Sequence, residues 1–402
     1  MKTLLKGGYV IVNEEKKSVD ISIEQGRVFA IASEINNEGF DKVIHCDNFF
    51  IAPAFVDVHV HLREPGFSYK ETIATGTAAA ARGGYSTVFS MPNLTPAPVD
   101  AQSLQVQLEI IDKEAKVKVL PYGAITQTQS GRGGLSQMEE MADKVIGFTD
   151  DGKGIQAGGL MREAMHKAKS LGKLIVAHCE DEEYDTYEPE SEWKQVERDI
   201  ALAKETGCPY HICHISTKET VELVRKAKGE GVDITCETAP HYLIFDNQDL
   251  PDEGRFKMNP PIRGRADKEA LIQGIQDGTI DMIATDHAPH SEEEKSKGFK
   301  DSMFGIIGME TAFPVLYTHL VKPGTITLEK LIDLMAIAPR KRFGLPGGEI
   351  QEGEVADLVL IDLEEEYEID SEEFLSKGRS TPFEGMDVFG RIITTLVDGE
   401  IK

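Results

Sequence analysis

Phe55-Val56-Asp57-Val58-His59-Val60-His61 is a short apolar strand that ends on two histidines, and its reading decides the fold. Residues two apart on a strand point to the same side, so His59 and His61 face a common target. From this strand onward, apolar segments recur at the spacing of α/β units. There are eight: Phe55–His61, Thr87–Met91, Val117–Tyr122, Val145–Thr149, Leu174–His178, Tyr210–His214, Asp233–Glu237 and Met282–Asp286. Helical stretches lie between them, among them Lys70–Arg82, Leu160–Ser170, Glu192–Glu205 and Lys218–Gly229. Eight strands alternating with helices predict a (β/α)8 TIM-type barrel. A doubly wound sheet is the rival architecture, disfavoured by the lack of a glycine-rich phosphate-binding turn.

Outside this region the pattern is different. Leu4–Val12, Val19–Ile23, Val28–Ala32 and Val43–Ala52 read as strands with no helix between them. After Gly344 strands return at Ala356–Ile361 and Ile392–Val397, flanking an acidic stretch, Glu364–Glu373, that reads as solvated surface. The simplest assembly is an α/β chain in which residues 1–52 and 350–402 form one discontinuous β-sandwich domain, and residues 53–349 form the barrel.

Composition bounds the partners. The chain of 402 residues has 43 Lys and Arg against 69 Asp and Glu, a formal charge of −26. That argues against nucleic acid and anionic membrane surfaces, which need basic patches. It leaves room for metals, or for a small anion in a locally positive pocket. No apolar run is long enough to span a bilayer, and the first residues turn polar too soon for a secretory signal. The five cysteines are scattered, which fits a reduced cytoplasmic protein with buried thiols.

In a barrel of this kind, chemistry sits at the C-terminal ends of the strands. His59 and His61 end the first strand, His178 the fifth, His214 the sixth and Asp286 the eighth, while the fourth runs into Asp150-Asp151-Gly152. Imidazoles and carboxylates together suit a divalent ion such as zinc, cobalt or manganese. The set exceeds the needs of one zinc, so a pair of ions sharing a carboxylate is expected, the alternative being a single ion with the surplus groups behind its ligands. Arg63, Asn93 and His290 lie just beyond the first, second and eighth strands, and Asn259 lies in the segment before the eighth. Arg63 can grip a carboxylate with two N–H groups, and the asparagines can meet an amide.

Several segments are more specific than the bare His-x-His pattern. They are Asp57–Gly66, Lys70-Glu71-Thr72, Met91-Pro92-Asn93, Asp150-Asp151-Gly152, Ala177–Glu180, His211–Lys218, Asn259–Arg263 and Asp286–His290. Together they resemble the dihydroorotases of the amidohydrolase superfamily, in the longer bacterial type, over nearly the whole chain. The resemblance implies that His59, His61 and Asp286 hold one metal, that His178 and His214 hold another, and that Asp151 bridges them. Spacing alone would not choose Asp151 over Asp150. Hydantoinases, allantoinases and the animal dihydroorotase domain carry a carboxylated lysine there, and neither Lys144 nor Lys153 matches that position. The resemblance further implies two zinc ions, Arg63, Asn93 and His290 on the substrate carboxylate, and Asn259 on the ring amide. Backbone groups of Phe304–Gly308 complete the pocket.

The implied reaction is the reversible hydrolysis of (S)-dihydroorotate to N-carbamoyl-L-aspartate in pyrimidine (UMP) biosynthesis. Its nucleophile would be a metal-bridging hydroxide, with Asp286 as general acid and base. A cytoplasmic homodimer, and association with aspartate carbamoyltransferase, are family expectations. The rival readings are an allantoinase- or hydantoinase-like enzyme and a non-catalytic partner of aspartate carbamoyltransferase. Two departures from the family pattern stand out: Pro53-Ala54-Phe55 where Pro-Gly-Phe is usual, and the short polar link Asp181–Ser191 after His178.

Overall fold

The computed structural model describes residues 2–12, 15–248 and 250–402. Five strands come first: β1 (Lys2–Val12), β2 (Glu15–Glu24), β3 (Arg27–Ala32), β4 (Lys42–His45) and β5 (Phe50–Pro53). The segment 43–52, expected as one strand, is two. A turn breaks it: the Phe49 amide donates to the Cys46 carbonyl at 2.8 Å, and Asn48 has a φ of +70°, a conformation asparagine tolerates.

The barrel follows in β6 (Phe55–Val60), β7 (Tyr85–Ser90), β8 (Lys118–Pro121), β9 (Ile175–Ala177), β10 (Tyr210–Ile212), β11 (Ile234–Thr238) and β12 (Met282–Ile283). β6, β7 and β8 pair in parallel, as do β9 to β12. The expected fourth strand, 145–149, sits between β8 and β9 without forming a regular strand. The Ile146 amide donates to the Pro121 carbonyl, and Phe148 bridges Gly123 on one side and Ile175 on the other. Gly147, lacking a side chain to pack, weakens this segment as a strand. Val60 bridges His287, and the His61 amide donates to the His287 carbonyl at 2.8 Å, which closes the barrel.

Two apolar layers separate on either side of the barrel wall. Val56, Val58, Phe89, Met91, Tyr122, Val176, Cys213, Met282 and Ala284 form the inner layer. Val60, Val88, Val119, Ile175, Ile212 and Ile234 face the helices. Simple alternation would put His59 on the helix side, opposite Val58. A register irregularity between Asp57 and Val60 in the β6–β7 pairing resolves this. A bulge re-aims the side chains that follow it, so Val58 stays inside, Val60 turns out, and His59 and His61 reach the inner rim.

The chain then returns to its beginning. β13 (Leu358–Glu368) pairs antiparallel with β5, in the register Leu358↔Pro53 to Ile361↔Phe50. β14 (Asp387–Val397) and β15 (Glu400–Ile401) follow, and one eight-stranded mixed sheet results, in the order β15-β14-β13-β5-β1-β2-β3 with β4 on β1. Leu5, Ile21, Val28, Ile51, Leu358 and Leu396 share one core. Strands that far apart in the order meet only if the sheet folds over itself. Arg27 indeed bridges Val355, bringing the β3 edge back beside the start of β13. The result is a sandwich-like layer built from both termini. Half of the acidic stretch belongs to β13: Glu364, Glu366 and Glu368 are exposed, and Ile369 beyond them is buried against Val315, Phe383 and Val388.

Buried Arg340 ties sheet to barrel. Its guanidinium donates to the Ala54 and Ala336 carbonyls at 2.6 and 2.8 Å and to Ser86 Oγ at 2.9 Å, with Asp357 at 3.7 Å. R340M leaves those carbonyls without a donor in an apolar setting. The expected cost is about 3 kcal/mol, seen as a lower denaturant midpoint; an unchanged midpoint would remove Arg340 from this role.

Candidate active site

The strand ends converge as the fold requires. Asp151 Oδ1 lies 3.2 Å from His59 Nε2 and 3.8 Å from His214 Nε2, and its Oδ2 lies 3.4 Å from His61 Nε2. His178 Nδ1 is 4.0 Å from Asp151 Oδ1 and 3.1 Å from His214 Nε2. Asp286 Oδ1 stands 3.1 Å from His61 Nε2 and 3.4 Å from His59 Nε2. All six side chains are buried. Asp150, the neighbour that spacing could not exclude, points elsewhere: its carboxylate accepts from the amides of Ile125, Thr126 and Gly131.

Local backbone geometry aims these groups. Arg63, His214 and Asp286 have φ of +59°, +33° and +48°, a region costly for residues with a side chain and often found at functional sites. For His214 the reason is visible. Cys213 faces the barrel interior, so alternation would send His214 outward, and the positive φ swings it back. Asp57, missed in the sequence, braces β6 against the last strand, accepting from Thr285 Oγ1 at 2.6 Å and from the His59 amide at 3.2 Å.

Two further carboxylates escaped the sequence reading. Glu237 Oε1 is bonded to His59 Nδ1 at 3.0 Å, and its Oε2 to His211 Nε2 at 3.0 Å. Glu180 Oε2 is bonded to His178 Nε2 at 3.1 Å. Each fixes one ring nitrogen and turns the other toward Asp151, as partners of metal-bound histidines do. Burial would raise both carboxyls, but hydrogen bonds, chiefly from the histidines, hold each at about 2. Glu237 carried a signal, since it ends the seventh expected strand just as the histidines end theirs.

The residues fit metal ions. His59 Nε2, Asp151 Oδ1 and His214 Nδ1 are buried without hydrogen-bond partners, a state native interiors rarely leave unexplained. Three buried groups have ligand atoms close enough to share an ion: His59–His61–Asp151, His59–His214–Asp286 and Asp151–His178–His214. Asp151 belongs to two of them, so the cluster fits two divalent ions. Burial lowers the basicity of His59, but the charges of Asp151 and Asp286 and the hydrogen bond to Asp151 outweigh it and raise its pKa well above the ordinary value. Burial also opposes ionisation of Asp151 and Asp286, and the surrounding histidines, led by His59, hold both well below the usual carboxylate range. A fourth group, His59–Cys213–Glu237, is less suited, because burial pushes the Cys213 thiol far up and keeps it protonated.

The cluster opens into a cavity of about 450 Å³. Arg63, Asn93, Asn259 and His290 line it opposite the histidines, with Phe304 and Gly305 on the rim. Arg63 Nε donates to the Pro289 carbonyl at 3.1 Å, and its NH2 lies 3.3 Å from His290 Nε2. Asn93 Nδ2 donates to the Asp151 carbonyl at 2.6 Å, leaving its second amide hydrogen for a ligand. Asn259 Nδ2 is engaged by Glu180 at 3.0 Å, which leaves its carbonyl oxygen. Gly305 has φ +132°, and a Cβ there would stand 2.7 Å from the Ala288 carbonyl, so only glycine lets this rim pack on His290. The short link after His178 reaches the cavity through Thr186, which donates to Glu180 Oε1 at 2.6 Å. A larger cavity, about 540 Å³ between the terminal sheet and the helical segment at 328–337, is mostly aliphatic and has no cluster of ionisable groups.

Known proteins with this architecture are many. The amidohydrolase family profile matches residues 50–402. A dihydroorotase of Bacillus pumilus is 45% identical, the alignment covering all of this chain and 98% of the relative. A dihydroorotase of Staphylococcus aureus is 45% identical over 99% of this chain and 98% of its own length. Among solved structures, an L-hydantoinase (dihydropyrimidinase) from Arthrobacter aurescens superposes with a TM-score of 0.88 at 26% identity, covering 99% of this chain and 95% of that one. A dihydropyrimidinase from Brevibacillus agri shares the fold, with a TM-score of 0.86 at 22% identity over 100% of this chain and 95% of its own. On the span of that profile and the identity of those relatives along their whole length, the chain belongs to the amidohydrolase family as a close relative of the bacterial dihydroorotases.

Proposed function

We propose that this dihydroorotase-like amidohydrolase interconverts (S)-dihydroorotate and N-carbamoyl-L-aspartate, the ring-closing direction serving pyrimidine synthesis. One observation carries the reading: Asp151 lies within reach of both histidine pairs, across one cavity from Arg63 and His290. The cluster matches a two-metal hydrolase, and the opposite wall offers donors to a substrate carboxylate. A lysine at the bridging point would favour a hydantoinase or allantoinase. Here that point is held by Asp151, and Lys153 is exposed.

His59, His61 and Asp286 would hold one ion, His178 and His214 the other, with Asp151 between. Imidazole and carboxylate donors suit Zn2+. Bound there, the ions would supply Lewis acidity and an acidified water. Asp286, kept ionised by its histidine neighbours, accepts the proton of the attacking water on a carboxylate oxygen. As the C–O bond forms and the ring C–N bond breaks, it passes that proton to the leaving nitrogen. In the reverse direction it takes the proton from the carbamoyl nitrogen and returns it to the departing water. Arg63, Asn93 and His290 fix the carboxylate, and Asn259 meets the ring amide. Residues 1–52 with 350–402 would fold as one unit on the barrel of residues 53–349. The five buried, free cysteines suit a reducing cytoplasm. Among the described residues no helix is long and apolar enough to cross a membrane.

Three outcomes follow. The purified metal-loaded protein hydrolyses dihydroorotate far faster than allantoin or hydantoin; the opposite preference would overturn the substrate assignment. D286A lowers kcat by at least 1,000-fold in both directions while the protein still binds metal, and a near-normal kcat would dismiss Asp286 as the proton carrier. E237A, by releasing the His59 ring, weakens metal affinity about 10- to 100-fold in equilibrium dialysis.

A further inference from the structure

The Lys70-Glu71-Thr72 motif is not used by the chemistry above, yet Lys70 is buried one step behind the carboxylate pocket. Its ammonium stands 2.9 Å from Glu294 Oε1 and 3.1 Å from His290 Nδ1. His290 Nε2, the other ring nitrogen, is 3.3 Å from Arg63 NH2. Glu294 Oε2 lies 3.3 Å from His290 Nδ1.

These contacts cannot all be hydrogen bonds at once. Lys and Arg only donate, and a neutral imidazole carries one N–H and one lone pair. In one tautomer Nδ1–H donates to Glu294 and Nε2 accepts from Arg63. In the other Nδ1 accepts from Lys70 and Nε2 bears the hydrogen. The second leaves two donors, Arg63 Nη2 and His290 Nε2–H, 3.3 Å apart and facing each other. Two such donors need a shared acceptor, and a carboxylate meets them best because its hydrogen bonds are charge-assisted. Burial, with the charges of Arg63 and Lys70, pushes His290 down to about 3, so the ring is neutral and its tautomer is what varies. Arg63, Lys70, Glu294 and Lys295 are the charged groups acting on it. Glu294 does not need the histidine, since it also accepts from Lys70, from Tyr69 Oη at 3.2 Å and from the Ser291 amide at 3.0 Å.

We propose that Lys70 is a positioning residue that selects the Nε2–H tautomer of His290 when the substrate carboxylate binds, converting Arg63 and His290 into a paired anion receptor. Lys70 does this from behind the ring, donating to Nδ1 without touching the substrate. The inference rests on the assignment of Arg63 and His290 to the carboxylate. Without Lys70, Glu294 draws the ring hydrogen to Nδ1, and a lone pair on Nε2 faces the carboxylate.

The test is a mutant cycle on the metal-loaded enzyme. K70M should raise the KM for dihydroorotate at least 10-fold with kcat within about 3-fold of the parent. K70R, which keeps a donor, should recover most of the loss. K70M/E294Q should also recover it, because an amide can donate to Nδ1 where a carboxylate only accepts; a merely structural Lys70–Glu294 pair would be rescued in the same way but would leave the ring tautomer unmoved. Ring 15N shifts of His290 in the unsubstituted enzyme should move to the Nε2–H pattern on adding N-carbamoyl-L-aspartate. A double variant as impaired as K70M, or a ring that keeps Nδ1–H with product bound, overturns the proposal. R63M separates the two ideas: an unchanged KM there sinks the carboxylate assignment itself, whereas a raised KM beside a normal K70M sinks only the role of Lys70.

Discussion

The charge of Asp151 is the constraint around which the rest of the barrel mouth is arranged. Its carboxylate is buried, one oxygen lacks any hydrogen-bond partner, and four histidines from three strands surround it. Burying a carboxylate in this way is costly unless positive charge or hydrogen bonds compensate. The imidazoles supply part of that compensation, and two divalent ions would supply the remainder. The outer carboxylates Glu237 and Glu180 are placed accordingly, each holding a histidine from behind so that the free ring nitrogen faces Asp151.

The same logic recurs across the cavity with the sign reversed. Arg63 and Lys70 bring cations to this wall, and Glu294 balances Lys70. A chain with a formal charge of −26 therefore offers an anion a local receptor. Net charge governs long-range association, while recognition at a site depends on the few groups within hydrogen-bonding reach. The acidic excess lies partly on the exposed edge of β13, away from this pocket.

Terminal sheet and barrel depend on one another. β5 leads directly into β6, and β13 pairs with β5, so the last third of the sheet is anchored at the start of the barrel. Arg340 connects the same junction from the helix side. Ala54, standing where the family usually has glycine, is fully buried there and has no positive φ, so the substitution brings no backbone penalty.

Hydrophobic periodicity by itself determined the order of strands and helices, and hence the barrel, because alternating apolar segments record which residues must leave water. It also put His59, His61, His178, His214 and Asp286 at strand ends, where this fold gathers its chemistry. It did not reveal that the fourth segment holds its place by isolated bridges, nor that a bulge and a positive φ turn His59 and His214 inward. Choosing Asp151 over Asp150 by geometry, and finding Glu237, Glu180 and Lys70 behind the histidines, needed the tertiary structure. For Glu180, two residues from His178, only the folded loop turns the carboxylate onto the ring; for Glu237 and Lys70 the physical reason is distance along the chain. Periodicity is a local property, but the partners that fix a ring's orientation stand 178 residues from His59 and 220 residues before His290, and only the closed barrel brings them within a hydrogen bond.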